Sequence, residues 1–162
     1  MGEDSHSNTL AGWREWVSLP DVGVPWIKAK LDTGARTSAI HAYDVEAGER
    51  DGEAWVRFRI RPWQDSVEDE VLAELPVHDR RRVRSSSGHV EDRYVVQMRL
   101  LLLGREVTGE FTLSNRDQMG FRMLVGREVL RQGFAVDARR SFLGGRAPRP
   151  VRRRNRGRPE EP

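Results

Sequence analysis

Residues Val24 to Leu31 alternate apolar and polar side chains and run without a break into Asp32-Thr33-Gly34-Ala35. Ile27, Ala29 and Leu31 fall on one face and Trp26, Lys28 and Lys30 on the other, the period of two that marks a half-buried strand. A strand of this kind, closed by a carboxylate on a tight Gly turn, demands a fold that buries one strand face and leaves the strand end open. A carboxylate there does chemistry only if its pKa is shifted. The simplest device is a second carboxylate sharing one proton, because two like charges in contact cannot both ionise. The chain holds a single Asp-Thr-Gly.

The rest of the periodicity is mostly that of strands. Thr37 to Ala42 has the β-branched and small residues of a strand leaving the turn. Val56, Phe58 and Ile60 alternate with Trp55, Arg57 and Arg59, and Pro62 ends that run. Tyr94 to Leu103 places Val96, Met98, Leu100 and Leu102 on one side, and Leu103-Gly104-Arg105 turns the chain back into Val107, Gly109, Phe111 and Leu113 as a hairpin. Met123-Leu124-Val125 is a short apolar run stopped by Gly126. Arg127 to Gln132 then has helical composition, with Gly133 placed as its terminating glycine. Phe134 to Asp137 resumes extended structure. About eight strands and one short terminal helix predict an all-β fold, a small and mostly antiparallel barrel or sandwich.

At 162 residues the chain is one domain by length, with 37% hydrophobic and 33% charged residues. This polar balance predicts a folded unit with dangling ends: a disordered N-terminus over 1–11, a domain over 12–143 and a disordered Arg-rich tail over 144–162. The tail carries seven Arg against Glu160 and Glu161, or +5, which leaves −2 of the net +3 for the rest. A slightly acidic body argues against nucleic acid as the domain's substrate. The tail, through Arg152, Arg153, Arg154 and Arg156, could hold RNA, DNA or an acidic protein weakly, or serve only solubility. The absence of cysteine fits a reducing compartment. With no signal-like or membrane-spanning apolar run, the expectation is a cytoplasmic protein without membrane contact.

The order of the motifs resembles a retropepsin subunit: Leu31-Asp32-Thr33-Gly34-Ala35, the polar loop Arg84-Ser85-Ser86-Ser87-Gly88-His89, the two long strands, and Leu124-Val125-Gly126-Arg127-Glu128-Val129-Leu130. A closer resemblance is to a bacterial family of small retropepsin-like proteins known as ATP-dependent zinc proteases. It is carried by Gly12-Trp13-Arg14-Glu15-Trp16-Val17, Lys28 through Ala39, Arg84 through His89, and Met119 through Arg127. It covers residues 12–143.

The resemblance implies a closed acid-protease barrel with one short C-terminal helix and an aspartic endopeptidase acting on protein or peptide. Asp32, Thr33 and Gly34 would be catalytic, and Ala35, Ser85, Ser86, Ser87 and Gly88 would contact substrate. Asp32 would share a proton with its copy in a homodimer, Thr33 would bond across the subunit junction, and Ser85 to His89 would form a mobile flap. In retroviral-type subunits the helix Arg pairs with an acidic residue four positions after the Asp. Here that position is Arg36, facing Arg127, so a carboxylate such as Glu128 must intervene or the dimer must be arranged differently.

No cofactor is expected. His6, His41, His78 and His89 are scattered, and His78-Asp79 and His89-x-Glu91 read as exposed hairpin residues rather than metal ligands. His41 is expected at a strand end. Gly104 to Glu110 lacks the Gly-Lys-Ser/Thr that cradles phosphate, so a nucleotide site is rejected. Trp13, Trp16, Trp26, Trp55 and Trp63 read as core and interface mass. Relatives of the family occur with ATP-grasp, RimK-like amino-acid ligases, so the alternative to a protease is a non-catalytic adaptor or scaffold for such a ligase.

Overall fold

The structure is a computed structural model that describes residues 8–84, 88–115 and 120–158. Among these residues the chain forms twelve strands: β1 (Thr9–Gly12), β2 (Arg14–Leu19), β3 (Val24–Leu31), β4 (Ser38–His41), β5 (Tyr43–Arg50), β6 (Glu53–Ile60), β7 (Val71–Pro76), β8 (Asp79–Arg84), β9 (Val90–Leu102), β10 (Arg105–Ser114), β11 (Met123–Val125) and β12 (Phe134–Asp137). Two α-helices, α1 (Arg127–Leu130) and α2 (Arg149–Asn155), and one turn of 3-10 helix over Pro20–Val22 complete it.

Six strands close on themselves in the order β10-β4-β11-β3-β2-β9, with β9 returning to β10, which gives the small barrel expected of a retropepsin-like fold. Closure leaves few unpaired strand edges. β9 is long enough to do several jobs at once. Its first half pairs with β8, its last two residues pair with β2, and Val95 to Leu102 pair with β10.

The alternation read from the sequence sets the inside of the barrel. Ile27, Ala29 and Leu31 of β3, Val96, Met98, Leu100 and Leu102 of β9, and Phe111 and Leu113 of β10 are buried. Trp26, Lys28 and Lys30 stay half-exposed on the outer face of β3. A separate sheet, β5-β6-β7, adds Val56, Phe58, Ile60 and Ala73 to the same core.

The chain ends depart from the sequence expectation of disorder. Thr9–Gly12 pairs in parallel with Phe134–Asp137. Residues 144–158 are ordered, and α2 docks against a second, smaller core. There Ala147 and Val151 pack with Trp16 and Trp63, with Trp26 and Phe142 alongside. Composition misses this helix because only two of its side chains, Val151 and Asn155, turn inward, one helical turn apart. Asn155 is 1% exposed. Its Oδ1 accepts the Gln64 N–H at 2.9 Å, and its Nδ2 donates to Gln64 Oε1 at 2.9 Å. Pro150 sits in the first turn, where its missing N–H costs nothing. Residues 1–7 and 159–162 lie outside the described residues.

A buried acid ties the two ends to the barrel. Glu15, 1% exposed, accepts N–H groups from Gly12 (2.7 Å), Leu143 (2.8 Å) and Gly144 (3.0 Å). The approach is close enough that a Cβ on Gly12 would lie 2.5 Å from the Arg140 carbonyl oxygen. Replacing Glu15 by Ala strands three backbone donors at once. Glu15→Ala is expected to lower unfolding stability by about 2–4 kcal/mol, read as a shift in urea midpoint at unchanged slope.

Candidate functional site

Asp32 stands where β3 leaves the barrel. Its N–H donates to the Val125 carbonyl at 2.9 Å, so β11 still holds it in strand register. The chain then turns: the Ala35 N–H donates to the Asp32 carbonyl at 3.2 Å, and the Gly34 N–H donates to Asp32 Oδ1 at 2.9 Å. One carboxylate oxygen is thereby fixed by the backbone, and none of the described residues bonds to the other. Asp32 and Ala35 are half-buried, while Thr33 and Gly34 are exposed. A carboxylate fixed at one oxygen and flanked by exposed residues can meet a second such group, or a substrate, from outside.

The turn rests on a floor made by β11 and α1. β11 lies between β3, with which it is parallel, and β4, with which it is antiparallel, so the loop joining β3 to β4 must arch over its end. Under that arch the Gly126 N–H donates to Ser38 Oγ at 3.0 Å, the Arg127 N–H to the Ala35 carbonyl at 2.7 Å and the Glu128 N–H to the Arg36 carbonyl at 3.1 Å. Only a residue without a side chain fits the contact. A Cβ on Gly126 would lie 2.5 Å from the Thr37 oxygen and 2.9 Å from that of Ala35.

The expected conflict between Arg36 and Arg127 is resolved within the chain. Glu128 pairs with Arg36 at 3.6 Å and with Arg131 at 3.0 Å. Arg127 turns to the Asp32 loop itself and donates to the Thr33 and Gly34 carbonyls at 3.2 and 3.4 Å. Its guanidinium thus braces the turn from below.

The hairpin of β8 and β9 stands beside this loop. A cavity of about 330 Å³ between them is lined by Arg36, Thr37, Arg81, Glu110 and Glu128. Arg81, on β8, is held by Glu110 at 2.8 Å and Asp79 at 3.1 Å. Gly88 closes the hairpin with φ +87°, a conformation that suits glycine. Ser85, Ser86 and Ser87 lie outside the described residues.

Arg81 and Glu110 were not singled out from the sequence. Each sits among many charged residues on exposed strand faces, and only the pairing of β8 with β9 and of β9 with β10 carries them to the site. Among the described residues no three His, Asp or Glu side chains converge to hold a metal. His78 instead faces Glu110 at 3.6 Å. The described residues thus offer no zinc-type ligand set around the Asp32 loop.

The Gly126 contact generates a direct test. Gly126→Ala must push the arch away from α1, so it is expected to cost about 1–3 kcal/mol and to lower the melting temperature. Ala35→Gly, which leaves that contact untouched, should change stability far less.

Comparison with known proteins fits this geometry. A crystal structure of a Legionella pneumophila protein of unknown function superposes with a TM-score of 0.73 at 25% identity, covering 85% of this chain and 99% of that one. Proteins named probable alpha-L-glutamate ligase share 44% identity, over 141 residues in Shewanella halifaxensis and 128 residues in Desulfotalea psychrophila. These matches take in 87% and 79% of this chain but 31% and 28% of the relatives, so the chain spans less than a third of their length. The family model described as retropepsin-like aspartic endopeptidase RimB matches residues 10–147. The chain therefore belongs to the RimB-like family of retropepsin-like aspartic endopeptidases.

Proposed function

We propose that the protein is an aspartic endopeptidase whose active site forms from two copies of the chain, each supplying one Asp32. The observation that carries this reading is the Asp32 carboxylate, set at the open end of a barrel strand with one oxygen fixed by the Gly34 N–H at 2.9 Å. Two such groups brought face to face would share one proton. The ionised member would take a proton from water as the water oxygen attacks the scissile carbonyl carbon. The protonated member would give its proton to the carbonyl oxygen. Collapse of the tetrahedral diol then breaks the C–N bond as a proton passes to the leaving nitrogen.

Thr33, exposed beside Asp32, is suited to bond across the junction between the copies, and Arg127 keeps the turn carbonyls from shifting. Ala35 leaves room for a substrate backbone. The segment joining β8 to β9, whose sequence includes Ser85, Ser86, Ser87 and Gly88, is proposed to serve as the substrate-contacting flap.

The substrate we favour is a peptide bearing glutamate, because relatives that contain an equivalent segment are named for α-L-glutamate ligation. Those names also favour a second reading, a non-catalytic partner of an ATP-grasp ligase. Among the described residues no helix is long and apolar enough to cross a membrane.

Asp32→Asn should leave the fold and the dimer intact while cutting peptide cleavage at least about a thousandfold, measured by mass spectrometry of digested acidic peptides and by light scattering. The wild-type rate should trace a bell against pH, with two apparent pKa values that belong to the pair. Undiminished cleavage by Asp32→Asn would end the protease reading. Ligase binding that survives the substitution, with no cleavage by wild type, would favour the adaptor.

A further inference from the structure

On the outer face of β2 and β3 the antiparallel register sets Arg14 opposite Lys30 and Trp16 opposite Lys28. The segment after β12 crosses this face, where the Phe142 N–H donates to the Arg14 carbonyl at 3.0 Å. Phe142 has φ +56°, a left-handed conformation unusual for an aromatic residue. Its ring lies beneath three cations: Arg14 at 4.9 Å, Arg146 at 5.5 Å and Lys28 at 5.7 Å from the centroid. α2 adds Arg152, and Arg156 immediately after its end adds another cation, to the same cleft, which encloses about 80 Å³.

No carboxylate among the described residues is in ion-pair contact with any of these five cations. Burial, followed by repulsion from Arg14 and Arg156, pushes the Lys28 ammonium below its usual range, and Asp65 opposes this only at a distance. Contact with the Phe142 ring offsets part of the repulsion. Like charges held this close on a rigid sheet and a docked helix are a preformed receptor for an anion.

The placement relates the cleft to Asp32. Lys28, Lys30 and Asp32 alternate onto one side of the same strand. At ~3.3 Å per residue, Lys28 lies about 13 Å along the strand from Asp32, roughly four residues of extended peptide. The faces of Phe142 and Trp16 are taken by cations, Lys28 standing 5.8 Å over Trp16. They offer no open ring on which a nucleobase could stack, which favours an acidic peptide over a nucleic acid.

We propose that Arg14, Lys28, Arg146, Arg152 and Arg156 form an exosite that holds the carboxylates of an acidic peptide segment. Its coupling to cleavage rests on the endopeptidase reading, while the binding itself does not. The proposal is tested on full-length protein carrying Asp32→Asn, which separates binding from turnover. Fluorescence anisotropy would follow a labelled oligoglutamate peptide, an oligoglutamine peptide of equal length and a single-stranded RNA.

Arg152→Gln with Arg156→Gln, and separately Arg146→Gln on its exposed loop, should each weaken oligoglutamate binding by about tenfold or more. Oligoglutamine binding should stay unchanged. Added salt should weaken the wild type far more than the variants. If α2 detaches in the double variant, as judged by limited proteolysis, Arg146→Gln alone decides the matter. Unchanged oligoglutamate affinity in Arg146→Gln, or RNA bound more tightly than oligoglutamate through the same arginines, would overturn the proposal.

Discussion

A three-residue strand holds this molecule together. Met123–Val125 is hydrogen-bonded on both sides, to β3 and to β4, and without it the six-stranded ring has a gap. Its placement forces the β3–β4 loop to pass over its end, and that loop carries Asp32. Barrel closure and presentation of the carboxylate are therefore one event. The close contact at Gly126 seals it, because the carbonyls of Ala35, Arg36 and Thr37 have nowhere else to settle.

Charge is handled in two ways. Around the Asp32 loop every arginine is occupied: Arg36 and Arg131 by Glu128, Arg81 by Glu110 and Asp79, Arg127 by backbone carbonyls. These pairs are largely exposed, so each adds little stability and mainly fixes geometry. On the β2–β3 face Arg14, Lys28 and Arg146 gather without a carboxylate partner among the described residues and lie instead over the rings of Phe142, Trp13 and Trp16. Within one small barrel, then, one group of positive charges is committed to structure and the other remains uncompensated.

Much of the fold was legible because barrel strands obey the period of two. β3, β9, β10 and β11 were all readable from alternation or from a short apolar run bounded by glycine. Asp32 and its turn were readable from the motif, and Glu128 was named as a partner able to separate Arg36 from Arg127. β2, β5, β7 and β8 were missed, β2 having been read only as part of a motif. Five consecutive residues of β5, Glu46 to Arg50, are exposed and show no apolar alternation. β1 and α2 were missed for another reason. Each depends on a contact with distant sequence, β1 on β12 and α2 on Gln64 and Trp63, and local composition cannot report such contacts. Glu15 belonged to a recognised motif, yet nothing local distinguishes a buried acid receiving three backbone donors from an exposed strand residue.

The docking of α2 has a mechanical consequence. Asn155 grips the loop at Gln64, and the Trp63 and Gln64 carbonyls in turn accept the Arg122 guanidinium. Arg122 immediately precedes β11, and its own carbonyl accepts the His41 N–H. A pull on the last helix thus passes through two side chains to the strand beneath Asp32. Whatever the C-terminal end is joined to, whether a tag, a bound partner or further polypeptide, has a lever on the floor of the site.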